Sequence, residues 1–215
     1  MRVEIWSDVV CPWCYIGKRR FEAALALFAH RDDVDVIWRS FQLDPDSPPQ
    51  SSDTMADHLA TKLNVSHDEA LSAIARVTSI AHAEGLEYRL DEARTGNTFD
   101  AHRLLHLAAK LGRQSELAER FMSAYFTEAA PIGDRETLSR LAVEVGLDAH
   151  VVQMALEDNM YADEVTIEQQ TARQLGATGV PFFVINRAYA ISGAQATDVI
   201  LDVLQEAWDE EQSAI

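Results

Sequence analysis

Cys11-Pro12-Trp13-Cys14 contains both cysteines of this 215-residue chain and lies between a predicted strand and a predicted helix. Residues 2–7 alternate as a strand does. Pro12 suits the first position of a helix, where its missing N–H costs nothing, and apolar residues recur at helical spacing from Trp13 to Phe28. A second strand is predicted over residues 34–41. Strand, helix and strand within about 40 residues predict a βαβ unit with parallel strands.

The middle of the chain is predicted to be helical. From Asp53 to about Gly176 nearly every segment has helical periodicity, after a loop rich in proline and acidic residues. Ser66 and Glu69 form a predicted capping box at the start of one helix. Glycines at three positions are predicted helix stops, namely Gly112, Gly146 and Gly176.

Strand character returns only near the end of the chain. Strands are predicted at residues 182–185 and 189–192, followed by a helix over residues 196–209. Because each β fragment is too small to be stable separately, we predict one mixed sheet built from both ends of the chain. The expected organisation is an α/β domain formed by residues 1–50 and 177–215, with an inserted α-helical domain formed by residues 51–176.

The amino-acid composition makes some classes of function less favoured for this chain. Lys and Arg number 18 against 35 Asp and Glu, a formal net charge of −17, which disfavours nucleic-acid and membrane-surface partners. No window approaches the ~18 consecutive apolar residues of a membrane span. The N-terminal residues lack the pattern of a secretory signal, so we expect a cytoplasmic protein. In that compartment a lone CxxC is expected to be catalytic or metal-binding rather than a structural disulfide.

The cysteine pair favours thiol-disulfide exchange. That reaction needs an exposed thiolate that attacks and a second thiol that resolves the mixed disulfide. Cys11 is predicted at a helix N-cap, where the helix dipole favours the thiolate, and Cys14, one turn inward, is predicted to be less accessible. Asp8, the nearest carboxylate in sequence, is expected to accept a proton during exchange, to raise the pKa of Cys11 by repulsion or, as we favour, to satisfy backbone groups of the loop.

Two alternatives for the cysteines stay open. A zinc site needs four ligands, and the chain has no second cysteine pair. Two inert buried cysteines are the other alternative. His102 and His106 are one turn apart, but no third metal ligand is evident, so no metal site is predicted.

A second motif, Gly179-Val180-Pro181-Phe182-Phe183-Val184, places a proline at the first residue of a strand. X–Pro is the one bond for which the cis form is inexpensive. If Val180–Pro181 is cis, the Val180 backbone can face the cysteines and pair with an incoming peptide. A plain structural bend is the alternative.

Together these motifs resemble the DsbA-like thioredoxin superfamily. The early CPWC, the long helical interruption and the late GVPFFVIN followed by ISGAQ are similar to its FrnE-type branch, which is grouped with 2-hydroxychromene-2-carboxylate isomerases and kappa-class glutathione transferases. The resemblance implies a thioredoxin-like fold with a large inserted α-helical domain. It also implies that Cys11 is the nucleophile, Cys14 the resolving thiol and Pro181 a cis-proline beside them.

The resemblance extends to candidate substrate-binding residues. Asn97-Thr98-Phe99-Asp100-Ala101-His102-Arg103 is similar to a motif of the same branch. Asn97 or Thr98 is expected to cap a helix. His102 and Arg103 are candidates for contacts to a small acidic substrate or glutathione, although a packed His102 is the favoured interpretation. Trp13 and Val180 complete the predicted substrate-binding set.

These observations predict a cytoplasmic thiol-disulfide oxidoreductase that requires no cofactor. Its expected partner is a disulfide-containing protein or a low-molecular-weight thiol such as glutathione, and a homodimer is left open. The alternative is a glutathione-dependent isomerase or transferase acting on a small aromatic or polyketide-like substrate. Relatives with that activity typically carry a single serine at the Cys11 position, so the second thiol favours redox chemistry.

Overall fold

The first elements form the expected βαβ unit. In the computed structural model, which describes residues 1–51 and 53–213, β1 (Arg2–Ser7) and β2 (Asp35–Ser40) are joined by α1 (Pro12–Leu27) and a 3-10 turn. The two strands pair in parallel along their whole length. Residues 52, 214 and 215, which belong to the predicted domains, lie outside this description.

A helical segment follows. Its helices are α2 (Met55–Leu63), α3 (His67–Ala83), α4 (Phe99–Lys110), α5 (Gln114–Glu128), α6 (Arg135–Glu144), α7 (Ala149–Glu157) and α8 (Ala162–Gln174). The Ser66–Glu69 capping box at α3 is confirmed. The three predicted stop glycines have φ values between +68° and +93°, the left-handed region that glycine adopts at little cost.

The segment between α3 and α4 lies between two predicted helices and forms no helix itself. Residues 86–98 are not helical, because tertiary contacts satisfy this segment instead. The Arg89 backbone N–H donates to the Phe126 carbonyl at 2.7 Å, and the Tyr88 ring stacks on Phe126 at 4.4 Å between centroids. A long-range hydrogen bond and a buried aromatic pair thus outweigh local helical preference.

The chain then returns to the sheet through β3 (Phe182–Ile185) and β4 (Tyr189–Ser192) and ends in α9 (Thr197–Ser213). The strand order is β2-β1-β3-β4, and both β1–β3 and β3–β4 are antiparallel. Asn186 and Arg187 both have positive φ, as a tight hairpin turn requires. The predicted mixed sheet from both ends of the chain is therefore confirmed.

Side chains cover both faces of this sheet. On one face α1 packs against α9, and the Phe21 ring stacks on Phe183 at 5.7 Å between centroids. On the other face Trp6 packs with Phe182, Val184 and Ala172, and its indole N–H donates to the Glu168 carbonyl at 2.9 Å. The side chains of alternate β3 residues thus lie on opposite faces of the sheet, as expected for a β-strand.

Two compact units can be distinguished by their internal contacts. One comprises Met1–Leu43 and Glu168–Ile215, and the other comprises Asp44–Ile167. The chain passes from the second unit back to the first within α8. The division at residues 51 and 176 that the sequence predicts stays a prediction.

Candidate active site

The turn between β1 and α1 determines where the first cysteine lies. Cys11 is the N-cap of α1, with extended backbone angles, and Pro12 occupies the first helical position as predicted. The Cys11 N–H donates to the Asp8 carbonyl at 3.1 Å, and the Cys14 N–H donates to the Cys11 carbonyl at 3.0 Å. The Asp8 carboxylate accepts from the Leu43 N–H at 2.8 Å, which confirms its predicted role in satisfying loop backbone.

Val180 and Pro181 meet this turn from the other end of the chain. The Val180–Pro181 bond is cis. The Cys11 thiol donates to the Val180 carbonyl at 3.5 Å, across 169 positions of sequence. Gly17 permits the approach, because a Cβ at that position would lie 2.8 Å from Cγ of Pro181. The fold therefore places Cys11, Val180 and Pro181 in one site.

The surroundings of Cys14 suppress the ionisation of its thiol. Both cysteines are free, and burial raises the pKa of the Cys14 thiol well above its usual value, with a further increase from the neighbouring Cys11. The Ser7 hydroxyl and the Asp8 backbone N–H act in the opposite direction and lower that pKa. Cys14 is therefore a protonated thiol at neutral pH.

Exposure of Cys11 differs from the prediction. The sequence suggests an exposed attacking thiol, yet Cys11 is only 2% exposed, hardly more than Cys14 at 1%. The Cys11 sulfur lies against the Val180 carbonyl, a contact between distant parts of the chain that the local sequence pattern does not reveal.

Trp13 is the exposed member of the motif. Its side chain is 41% exposed, between two buried cysteines, and tryptophan is enriched among the residues that dominate binding energy at interfaces. Its substrate-binding role, like that of Val180, stays a prediction.

Comparison with known proteins fits this geometry. Residues 2–205 match the model of the DSBA-like thioredoxin domain. The chain belongs to that family. A probable DsbA oxidoreductase from Streptomyces coelicolor is 48% identical, with a TM-score of 0.93 over 98% of this chain and 91% of the other. The predicted family and the predicted thioredoxin-like fold are thereby confirmed.

Two more distant solved structures of DsbA-like architecture share the fold. A 2-hydroxychromene-2-carboxylate isomerase is 13% identical, with a TM-score of 0.73 over the full length of both chains. The cytosolic disulfide reductase DsbM from Pseudomonas aeruginosa, solved with glutathione, is 18% identical. Its TM-score is 0.66, and the match covers 97% of this chain and all of the other.

Asn97 belongs to the second unit, where its side chain is engaged with backbone groups. Its amide N–H groups donate to the carbonyls of Pro45 and Ser47 at 2.9 and 3.0 Å, and its amide oxygen accepts from the Phe99 N–H at 2.9 Å. Asn97 thus connects the preceding loop to the start of α4, as a capping residue does. Its substrate-binding role stays a prediction.

His102 and Arg103 are both buried in α4. His102 is 1% exposed, which agrees with the favoured interpretation of a packed histidine, and contact with a substrate stays a prediction. The proposal for Arg103 is wrong. Its guanidinium is fully buried, is paired with Asp100 and donates to the carbonyls of Ala155 and Met160. Arg103 binds the end of α7 instead of a ligand.

Two residues of the site escaped the sequence analysis. Gly17 lies inside a helix, where glycine is costly unless something approaches closely, so its position was a usable signal. Ser7 carried no comparable signal, because a serine at the end of a strand is unremarkable without the position of Cys14.

The described residues contain neither a cluster of metal ligands nor a membrane-spanning helix. Within residues 1–51 and 53–213, no group of three or more His, Cys, Asp or Glu side chains is arranged to hold a metal ion. Over the same residues, no helix has the length and apolar character of a membrane span.

Proposed function

We propose that this chain is a thiol-disulfide oxidoreductase that uses Cys11 and Cys14. The observation that carries the proposal is the pairing of two thiols at the start of α1, one of them with its ionisation suppressed by burial. Two thiols so close together suit a reaction in which one sulfur attacks a disulfide and the other resolves the mixed disulfide.

The reaction balances with these two thiols and one disulfide. The Cys11 thiolate attacks one sulfur of the substrate, the substrate S–S bond breaks, and the leaving thiolate takes a proton. Cys14 then loses its proton and attacks the Cys11 sulfur, which releases the second substrate thiol. The two cysteines are oxidised to a disulfide and the substrate disulfide is reduced to two thiols. The reverse sequence oxidises a dithiol, and neither direction requires a metal or an organic cofactor.

Glutathione is the proposed partner for regeneration. Two glutathione molecules reduce the Cys11–Cys14 disulfide and leave as oxidised glutathione. The support is the DsbM structure, which contains glutathione and shares this fold. We propose a cytoplasmic location on the same basis, since that compartment supplies reduced thiols, with a disulfide-containing protein or a low-molecular-weight disulfide as the substrate.

The test compares single-cysteine variants of the full chain. Cys14→Ser should retain attack by Cys11, stop at a mixed disulfide visible as a mass increase, and lose multiple-turnover reduction of insulin disulfides with glutathione as the reductant. Cys11→Ser should form no mixed disulfide at the active site. Turnover that survives in Cys14→Ser would contradict the proposal and favour the glutathione-dependent isomerase or transferase, which needs one reactive residue. Two inert cysteines would leave the wild type unreactive toward disulfides.

A further inference from the structure

Ser7 is a buried hydroxyl beside the site. It ends β1, is 5% exposed and lies opposite Ser40 in the parallel ladder. Its carbonyl accepts from the Phe41 N–H at 3.2 Å, but its Oγ has no hydrogen-bond partner within the described part of the chain. Buried hydroxyls without partners are uncommon because they cost stability, so each one requires an explanation.

The surroundings of Cys14 supply that explanation. The Ser7 hydroxyl is close enough to the Cys14 sulfur to lower the pKa of its thiol, and the Asp8 backbone N–H has the same effect. A neutral thiol is a weak acceptor, whereas a thiolate attracts donors strongly. The hydroxyl is therefore placed to complete its hydrogen bond only after Cys14 has lost its proton.

We propose that Ser7 donates a hydrogen bond to the Cys14 thiolate and so promotes resolution of the mixed disulfide. This inference rests on the proposed function. In the step concerned, water or buffer removes the Cys14 proton, and Ser7 Oγ–H and Asp8 N–H then stabilise the anion. Its sulfur attacks Cys11, the Cys11–Cys14 bond forms, and the substrate thiolate leaves and is protonated. The substrate disulfide is the only oxidant.

The experiment separates the two steps with an aromatic disulfide, 5,5′-dithiobis(2-nitrobenzoate), which releases a coloured thiolate at each step. The reduced full chain should give a first phase proportional to reagent concentration, from Cys11. A second phase, from Cys14, should be independent of that concentration because it is intramolecular. The rate of the second phase should rise with pH as Cys14 ionises.

Ser7→Ala should slow the second phase about tenfold at neutral pH, the effect of one hydrogen bond to a charged group, and move its pH profile to higher pH. The first phase should stay within about twofold of the wild type. Ser7→Thr, which keeps the hydroxyl, should restore the second phase, whereas Ser7→Val should not. Ser40→Ala is the matched control, since it removes a buried hydroxyl at the same level of the adjacent strand and should change neither phase.

Failure of the inference and failure of the function give different results. A Ser7→Ala second phase with wild-type rate and pH profile would overturn the role of Ser7, as would equal slowing of both phases. If the wild type itself has no second phase, the dithiol reaction is wrong. Should Ser7→Ala not fold, the comparison of Ser7→Thr with Ser7→Val decides, because the two side chains have the same shape and differ in the hydroxyl.

Discussion

Gly17 shows how one residue controls the geometry of the cysteine site. It lies in α1, one turn after Cys14, and faces Pro181. An alanine would normally favour a helix over glycine by about 1 kcal/mol. Here the added methyl group would be 2.8 Å from Cγ of Pro181, well inside ordinary contact distance. The absence of a side chain therefore matters more than helix propensity.

We expect Gly17→Ala to lower the free energy of unfolding by about 1–3 kcal/mol, the usual cost of overpacking a buried position. Gly179→Ala is the control, because a Cβ there meets nothing within 4 Å, and its stability should equal or slightly exceed that of the wild type. Urea denaturation measures both values. A Gly17→Ala protein as stable as Gly179→Ala would show that Pro181 moves away without cost.

The helices of the inserted segment begin with local signals. In α3 the Ser66 hydroxyl accepts from the Glu69 N–H at 3.3 Å, and the Glu69 carboxylate accepts from the Ser66 N–H at 2.8 Å. The Ser66 hydroxyl also donates to the Glu69 carboxylate at 2.7 Å, and this hydrogen bond, with a smaller effect of the one from the Ser66 backbone N–H, lowers the pKa of Glu69. Asp148 caps α7 in the same way, accepting from the N–H groups of His150 and Val151. Because caps join neighbours in sequence, they could be predicted.

Ser66→Ala should reduce the free energy of unfolding by about 1 kcal/mol, since it removes the N-cap of α3. The lowered pKa of Glu69 means that its contribution is present above about pH 4 and is lost as acid protonates the carboxylate. The difference in free energy of unfolding between Ser66→Ala and the wild type should therefore become smaller at acidic pH. Ser72→Ala, in the same helix, should be neutral, because Ser72 only donates back to the Asp68 carbonyl. Equal losses at both serines would contradict the capping role.

A partly buried ion-pair network joins distant parts of the chain in the first unit. Arg39 of β2 pairs with Glu4 of β1 and with Glu168 of α8, each at 2.6 Å. Arg187, in the β3–β4 turn, also reaches Glu4 at 3.3 Å. Glu4 is 2% exposed, so these partners contact its carboxylate in place of solvent.

Arg39→Leu should destabilise the protein by about 3 kcal/mol, since it leaves buried carboxylates without their main partner. Arg31→Leu is the control: Arg31 pairs with Asp32 at the surface, with side chains 59% and 96% exposed, and such pairs contribute little. In both thermal and urea unfolding, Arg39→Leu should be much less stable than Arg31→Leu. Similar stabilities for the two variants would show that water replaces Arg39 at the Glu4 and Glu168 carboxylates.

Much of this architecture could be predicted from the amino-acid sequence. The strands, most helix limits, the α3 capping box and the N-cap position of Cys11 all follow from periodicity or from contacts within a few residues. Such interactions act between near neighbours, so they are encoded locally.

Only the tertiary structure decided the remaining features of the site. The burial of Cys11 against Val180, the contact of Gly17 with Pro181 and the commitment of Arg103 to α7 all join residues far apart in sequence. The non-helical course of residues 86–98 has the same origin, since its partner is Phe126. These contacts depend on how the segments pack, and packing is a property of the whole chain that no local pattern records.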